Sequence, residues 1–300
     1  MPTVDIGYWD PSRLREGAIV LVVGRRGSGK STLAADILSY QRGVKRGLVI
    51  SATERSNEFW GRHVPACFIH YQFDDKLIQE LFDMQQKSKD QLGKAEPAFC
   101  VLDDLLYDTK FTRSKMVRRL LFNGRHSNIF TLITSQYLVG LGPELRGNVD
   151  YVCAMQDNIV ANRERLYINA GGVFPTFKEF DEVMKACTEN RETMILDQTN
   201  LSYSISDCVK FYRATAGLRF RVGAEEYWEF SANMRGRESR DSGERALVRK
   251  RYPAREDDDD DDDDGGEAGA ATVQSDGARR RHRHSHHREH SREHSRDYPR

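Results

Sequence analysis

A glycine-rich octad near the start of the chain has the residue types and spacing of a phosphate-binding loop. It reads Gly24-Arg25-Arg26-Gly27-Ser28-Gly29-Lys30-Ser31 and lies between an apolar run over 18–23 and a segment with helical spacing. Glycines let backbone N–H groups surround phosphate oxygens, while Lys30 and the amino end of the helix neutralise the β and γ phosphates. The octad predicts an ATP site formed by Gly24, Gly27, Ser28, Gly29, Lys30, Ser31 and Thr32.

Two adjacent carboxylates close a second apolar run. Cys100-Val101-Leu102-Asp103-Asp104 has the pattern of the second motif of P-loop proteins, in which an acid at a strand end holds the metal ion. We predict that Ser31 and Asp103 bind Mg²⁺ and that Asp104 is the general base or positions the attacking water. Without the octad, two acids at a strand end would equally well form a solvated turn.

Polar and basic residues follow the later apolar runs. Gln136 ends the run Ile133-Thr134-Ser135-Gln136, and its amide can hydrogen-bond the γ-phosphate or the attacking water. A loop glutamine without a role is an equally good interpretation of this residue alone. Arg146, Arg163 and Arg165 are candidates for an arginine finger supplied by a neighbouring subunit, although most surface arginines have no such role.

The elements that would position these residues alternate regularly along the chain. Apolar runs predict strands over 18–23, 47–51, 98–103, 129–134 and 149–153. Amphipathic segments predict helices from Ser31 onward, over 77–91 and over 114–122. Continuous apolar strands separated by helices predict an α/β fold, a P-loop NTPase with a mainly parallel central sheet flanked by helices. The strand over 48–51 lies between the two motifs in sequence. This insertion resembles the class of P-loop ATPases that have an additional central strand.

Composition narrows the class of protein. Hydrophobic residues make up 38% of the 300, enough for one sizeable core, and the longest apolar runs are of strand length. The five cysteines are scattered and include no C-x-x-C pair, so we do not expect a thiolate metal site. Their distribution is typical of a protein in a reducing intracellular compartment. We see no secretion signal at the start of the sequence, and we therefore expect an intracellular, soluble protein.

The last part of the chain has a different composition. An acidic run over 256–264 precedes a Gly/Ala stretch and an Arg/His-rich segment over 279–300. With few apolar residues, this part cannot bury enough surface to offset its ordering entropy. We predict a P-loop ATPase domain over 1–230 and a disordered charged tail over 231–300.

Several longer strings occur in a fixed order and resemble those of one protein family. They are Leu102-Asp103-Asp104-Leu105-Leu106-Tyr107-Asp108, Thr134-Ser135-Gln136-Tyr137, Leu145-Arg146-Gly147-Asn148-Val149-Asp150-Tyr151-Val152, Asn162-Arg163-Glu164-Arg165-Leu166-Tyr167 and Asp207-Cys208-Val209-Lys210-Phe211-Tyr212-Arg213-Ala214. Together with the octad they resemble the poxvirus-type genome-packaging ATPases of the nucleo-cytoplasmic large DNA viruses, within the FtsK–HerA superfamily of DNA translocases. The resemblance covers roughly residues 15–230.

The resemblance implies a motor that uses ATP and Mg²⁺ to move double-stranded DNA into a preformed capsid. It implies a ring-shaped homo-oligomer, contacts with capsid or membrane-associated assembly proteins, and a location in the host cytoplasm or the virion. It assigns catalytic roles to Asp104, to Gln136 and, acting in trans, to Arg146. Two departures bear on these roles: Gln156-Asp157-Asn158 stands where the family often has Arg-Glu-Asn, and Asp104 stands where the superfamily usually has glutamate. If the missing arginine senses nucleotide, its role would pass to Arg163 or Arg165.

Two other functions remain open at this stage. A P-loop kinase would carry a lid with clustered arginines, and Gln136 after the strand favours the motor instead. A non-catalytic scaffold could bind nucleotide and recruit partners through the charged tail, although the intact acid pair argues against it.

Overall fold

The part of the chain that a computed structural model describes, residues 5–138 and 141–234, alternates strands with helices. The strands are β1 (Gly7–Tyr8), β2 (Ile19–Val23), β3 (Arg46–Ser51), β4 (Ile69–His70), β5 (Ala98–Asp103), β6 (Ile129–Ser135), β7 (Tyr151–Ala154), β8 (Thr193–Asp197) and β9 (Val209–Tyr212). The helices are α1 (Lys30–Ser39), α2 (Glu54–Asn57), α3 (Asp75–Leu92), α4 (Thr109–Arg113), α5 (Lys115–Asn123), α6 (Pro143–Arg146), α7 (Val160–Ala170), α8 (Phe177–Cys187) and α9 (Ile205–Cys208).

The strands of these residues form one sheet in the order β1-β9-β8-β7-β2-β6-β5-β3-β4. The pairs from β7 across to β4 are parallel, whereas β8 is antiparallel to both β7 and β9. Helices pack on both faces, so the predicted fold class, an α/β P-loop fold with a mainly parallel central sheet, is confirmed. The short strands β1, β4, β8 and β9 were not predicted.

The additional central strand is not the one expected from the sequence, the strand over 48–51. β3, which lies between the two motifs in sequence, pairs with the outer side of β5. The strand that separates β2 from β5 in the sheet is β6, which follows the acid pair in sequence. The connection through α5 returns the chain to the gap beside β2, so the additional central strand is the one that ends next to Gln136.

The sheet separates two apolar layers, which explains why its central strands are apolar at every position. Alternate residues of β2 point to opposite faces, with Leu21 in one layer and Val20 in the other. Residues of α3, α5 and α8 pack in the first layer, and residues of α1 pack in the second. Burial on both faces is the expected condition of a parallel sheet covered by helices.

The carboxyl ends of the central strands meet at one edge of the sheet. Ser51, Asp103 and Thr134 occupy the same register level on β3, β5 and β6. Val23 of β2 pairs with Ser135 of β6, one residue later. The glycine-rich loop, the acid pair and Gln136 therefore all leave the sheet at this edge.

Residues 225–234 are helical, and the predicted domain boundary at residue 230 falls inside this segment. Ser231 is buried, and the backbone N–H of Cys67 donates to its hydroxyl at 3.2 Å. The ordered fold therefore continues past residue 230. The predicted acidic run over 256–264 and the Arg/His-rich segment over 279–300 lie outside the described residues. Among the described residues, no helix has both the length and the apolar composition needed to cross a bilayer.

The segment after β9 is fixed onto α1 by one buried carboxylate. Asp36 is only 1% exposed, and its Oδ2 accepts from the Tyr212 hydroxyl at 2.6 Å and from the Thr215 backbone N–H at 3.0 Å. Burial and the hydrogen bond to Asp36 raise the pKa of the Tyr212 phenol, which keeps its proton and donates it. The pair therefore fixes the path of the chain beyond β9 against the helix that follows the glycine-rich loop.

We expect Tyr212→Phe to lower the free energy of unfolding by about 1.5–3 kcal/mol, because a buried carboxylate loses a donor while the ring is kept. Urea denaturation measures this change. Tyr203→Phe, on a ring that is 99% exposed, is the matched control and should stay within about 0.5 kcal/mol of the native protein. Equal stability of the two variants would contradict the role of the Asp36–Tyr212 hydrogen bond.

Candidate nucleotide-binding site

The glycine-rich loop has a backbone that requires its glycines. Gly27 and Gly29 have φ values of 79° and 95°, in the left-handed region that other residues rarely adopt. A Cβ on Gly24 would lie 2.6 Å from the Ser28 hydroxyl and 2.7 Å from Met155 Cβ. The Ser28 hydroxyl is buried and has no hydrogen-bond partner among the described residues. The loop therefore brings an unpaired donor and closely approaching backbone to the amino end of α1, as phosphate binding requires.

Lys30 lies against the loop and near both acids. Its Nζ donates to the backbone carbonyl oxygen of Arg25 at 3.0 Å. Burial lowers the pKa of the Lys30 ammonium from its ordinary value, and the neighbouring carboxylates of Asp104 and Asp103 partly offset this shift. The structure thus brings Lys30 close to Asp103 and Asp104, which follow it by 73 and 74 positions in the sequence.

Asp103 is held by donors from three different parts of the chain. Its carboxylate is 6% exposed; Oδ1 accepts from the Thr134 hydroxyl at 2.6 Å. Oδ2 accepts from the Ser51 hydroxyl at 2.8 Å and from the Trp60 indole N–H at 3.1 Å. These bonds to neighbouring strands and to Trp60 fix the orientation of the carboxylate at the strand end.

Trp60 is itself fixed by a second buried carboxylate. Glu54 accepts from the backbone N–H groups of Trp60 and Gly61, both at 2.8 Å. Trp60 is fully buried, so its indole N–H has no access to water and depends on Asp103 for a partner. Sequence reasoning missed Ser51, Glu54 and Trp60; the one available signal was Ser51 at the end of a predicted strand.

Asp104 and Gln136 form a direct pair. The Gln136 side-chain amide donates to Asp104 Oδ2 at 2.9 Å, and the Asp104 backbone N–H donates to the Thr134 hydroxyl at 3.0 Å. Asp104 has a φ of 52°, a left-handed conformation that costs about 1–2 kcal/mol for a residue with a Cβ. This turn directs Asp104 away from the buried position of Asp103, and its side chain is half-buried.

The residues present fit a Mg²⁺–nucleotide complex. Ser31 and Asp103 offer a hydroxyl and a carboxylate, the oxygen donors that Mg²⁺ prefers. Among the described residues no group of three or more His, Cys, Asp or Glu side chains could hold a metal ion by itself. A site with one or two protein oxygens agrees with the usual mode of Mg²⁺ binding, in which phosphates and water complete the coordination.

The three candidate arginines have different surroundings. Arg146, at the end of α6, is half-buried and donates to the backbone carbonyl oxygen of Leu141. Arg163 is 5% exposed and is held by an ion pair with Asp181, so it is not available as a finger for a neighbouring subunit. Arg165 is exposed and lines a small cavity with Gly24 and Gln136. Asn158, in the segment that departs from the family pattern, accepts from the Arg25 guanidinium.

We expect Trp60→Phe to lower the free energy of unfolding by about 1.5–3 kcal/mol, since it removes a donor to the Asp103 carboxylate and keeps an aromatic ring. Chemical denaturation measures the loss. Trp228→Phe is the matched control, because the indole N–H of Trp228 is buried without a partner among the described residues. A loss as large in Trp228→Phe as in Trp60→Phe would point to ring packing and not to the hydrogen bond.

Comparisons with known proteins place the chain among viral relatives. It is 32% identical over 217 residues to a protein of Acanthamoeba polyphaga mimivirus, covering 69% of this chain and 76% of that protein. It is 34% identical over 226 residues to a protein of Frog virus 3 (isolate Goorha), covering 74% of this chain and 70% of that protein. With a protein of Invertebrate iridescent virus 6 the identity is 31% over 184 residues, covering 61% of this chain and 71% of that protein.

No family model matches the chain. Among solved structures, the genome packaging NTPase B204 from Sulfolobus turreted icosahedral virus 2, in complex with sulfate, matches with a TM-score of 0.50 and 14% identity, covering 69% of this chain and 100% of that chain. This likeness shows the fold. Because the mimivirus, Frog virus 3 and iridescent virus proteins are similar to the chain over most of their own lengths, the chain belongs to their family of viral proteins. Its motifs resemble those of the poxvirus-type packaging ATPases of the FtsK–HerA superfamily.

Proposed function

We propose that the protein binds and hydrolyses ATP at the edge of the sheet where Lys30, Asp103 and Asp104 converge. The observation that carries this proposal is the hydrogen bond from Gln136 to Asp104, at the carboxyl ends of adjacent strands and close to the half-buried Lys30. A general acid–base group, a polar positioning group and a phosphate-binding loop thus meet in one place. That combination supports hydrolysis over simple nucleotide storage.

The chain's own residues would divide the work as follows. Backbone N–H groups of the loop and the unpaired Ser28 hydroxyl bind the phosphate oxygens. Lys30, partly desolvated by burial, exchanges its bond to the Arg25 carbonyl oxygen for the β and γ phosphates. Ser31 and Asp103 would hold Mg²⁺, which when bound neutralises charge on those phosphates. Thr32 follows on the first turn of α1 and binds beside the phosphates.

Asp104 is the residue placed to act on the attacking water. Its carboxylate is half-buried, and Gln136 occupies only Oδ2, so Oδ1 is available to accept a proton or orient the water. Gln136 is then a positioning residue that holds Asp104 and changes its partner when the γ-phosphate is present. Gln136 directly follows the additional strand β6, so such a change occurs at the end of that strand.

We further propose that hydrolysis drives movement of double-stranded DNA during packaging of a viral genome. The family membership supports this proposal, and the fold relative B204 is described as a genome packaging NTPase. The proposal includes a ring-shaped homo-oligomer, capsid or membrane-associated assembly proteins as partners, and action in the host cytoplasm or the virion. Binding to DNA would be independent of the DNA sequence, and its affinity would fall as the salt concentration rises. The ATPase domain and the charged tail remain the proposed division of the chain.

Lys30→Ala should reduce ATP turnover at least about a hundredfold, because it removes the ammonium that lies against the glycine-rich loop and near both acids. Phosphate release, measured with and without double-stranded DNA, tests both parts of the proposal. Lys76→Ala, at an exposed position on α3, should leave turnover unchanged. Turnover near the native rate in Lys30→Ala would refute the site. A native rate that DNA does not raise, but a nucleoside does, would favour a kinase.

Arg146 is proposed to act in trans, on ATP bound by a neighbouring subunit. Arg146→Ala and Lys30→Ala proteins should each be inactive alone, and mixing them should restore part of the DNA-dependent turnover at shared interfaces. Arg165→Ala serves as the comparison, since this arginine is exposed and lies near Gly24 of its own chain. Normal turnover of Arg146→Ala in the DNA-bound oligomer would exclude Arg146 as the finger.

A further inference from the structure

A cavity of about 670 Å³ opens beside the first turns of α1. Thr32, Ala35 and Asp36 of that helix line one side of it, and Thr32 lies two residues after Lys30. The lining of the cavity therefore begins within one helical turn of Lys30. The cavity on the other side of the loop, between Gly24 and Arg165, holds only about 30 Å³, too little for a nucleoside.

Aromatic side chains also line the cavity. Phe59 comes from the segment after β3, and Phe220 comes from the segment after β9. The Phe220 ring is stacked on His63 with centroids 4.4 Å apart and 12° between the planes. Phe59 packs edge-on against His63, with centroids 5.6 Å apart, and against Trp60 at 5.2 Å. These neighbours hold both rings in place before any ligand arrives.

The rim of the cavity is cationic. Arg62, Arg219 and Arg221 line it and are exposed. Asp36, the acid in the lining, is already bonded to Tyr212 and Thr215. A phosphate-bearing ligand is therefore favoured over a cation.

We propose that this cavity binds the base and ribose of the nucleoside triphosphate, with the base stacked on the Phe59 and Phe220 rings. The inference rests on the proposed function, since it needs the phosphates at the amino end of α1. The volume of the cavity is within the range of small-molecule sites. The rings contact the faces of a base and not its hydrogen-bonding edges, so the larger purines are favoured over pyrimidines, and adenine is separated from guanine only weakly.

Binding measurements on the full chain test the proposal with ATP, GTP, CTP and inorganic tripolyphosphate as probes. Phe59→Ala and Phe220→Ala should each weaken ATP binding about tenfold, the size expected for loss of one base–aromatic stack, and leave tripolyphosphate binding unchanged. Phe220→Leu, which keeps apolar packing against His63, should also weaken ATP binding. This variant, together with thermal unfolding of each protein, separates loss of stacking from misfolding. The native protein should bind ATP and GTP with similar affinity and CTP more weakly, because a pyrimidine offers a smaller face for stacking.

Phe230→Ala is the matched control, because Phe230 lines a different cavity that includes no residue of α1. ATP affinity should not change in this variant. Lys30→Ala should lose both ATP and tripolyphosphate; if the native protein binds neither, the proposed function itself fails. If ATP binds and Lys30 is needed, but the Phe59 and Phe220 variants bind ATP like the native protein, the base lies elsewhere. Loss of DNA affinity with unchanged nucleotide affinity would assign the cavity to nucleic acid.

Discussion

The carboxylate of Asp103 is removed from water and survives there because three donors reach it. Taking an ionised carboxylate out of water costs several kcal/mol unless hydrogen bonds replace the lost hydration. Two of those donors, Ser51 and Thr134, are residues of the strands on either side of β5. They can reach Asp103 only if all three strands end at the same level. A slip of one residue in either pairing would turn a hydroxyl to the opposite face and leave the charge unpaired.

This requirement explains the arrangement of the groups around it. With the register of β5 and β6 fixed, Asp104 and Gln136 leave neighbouring strands one or two residues later and meet. The left-handed turn at Asp104 separates the two acids, so that one is buried and held while the other is reachable. The strain of that turn, about 1–2 kcal/mol, is offset by the backbone hydrogen bond from Asp104 to the Thr134 hydroxyl. Thr134 thus serves both acids, donating to one and accepting from the other.

Much of the central sheet and of the site could be predicted from the sequence, and the reason for success or failure differs from residue to residue. The loop and the acid pair are local patterns, and their strands are apolar throughout because both faces are covered, so they were predicted within one or two residues. Ser51 and Trp60 join Asp103 from 52 and 43 positions away, and no local pattern reports such a contact. Arg163 and Arg146 were equivalent candidates in sequence, and the structure separates them, because Arg163 is buried and paired with Asp181 while Arg146 is half-buried. The outer position of β3 likewise follows from pairing and not from sequence order.

The segment over 54–63 contacts both Asp103, the proposed Mg²⁺ ligand, and the cavity beside α1. Within it, Phe59 and His63 face the cavity, while Trp60, between them, donates to Asp103. Glu54 fixes the middle of the segment by accepting from two of its backbone N–H groups. The Phe59 ring packs edge-on against the Trp60 indole, with centroids 5.2 Å apart. One short segment therefore supplies both a ring of the cavity lining and a donor to the Asp103 carboxylate.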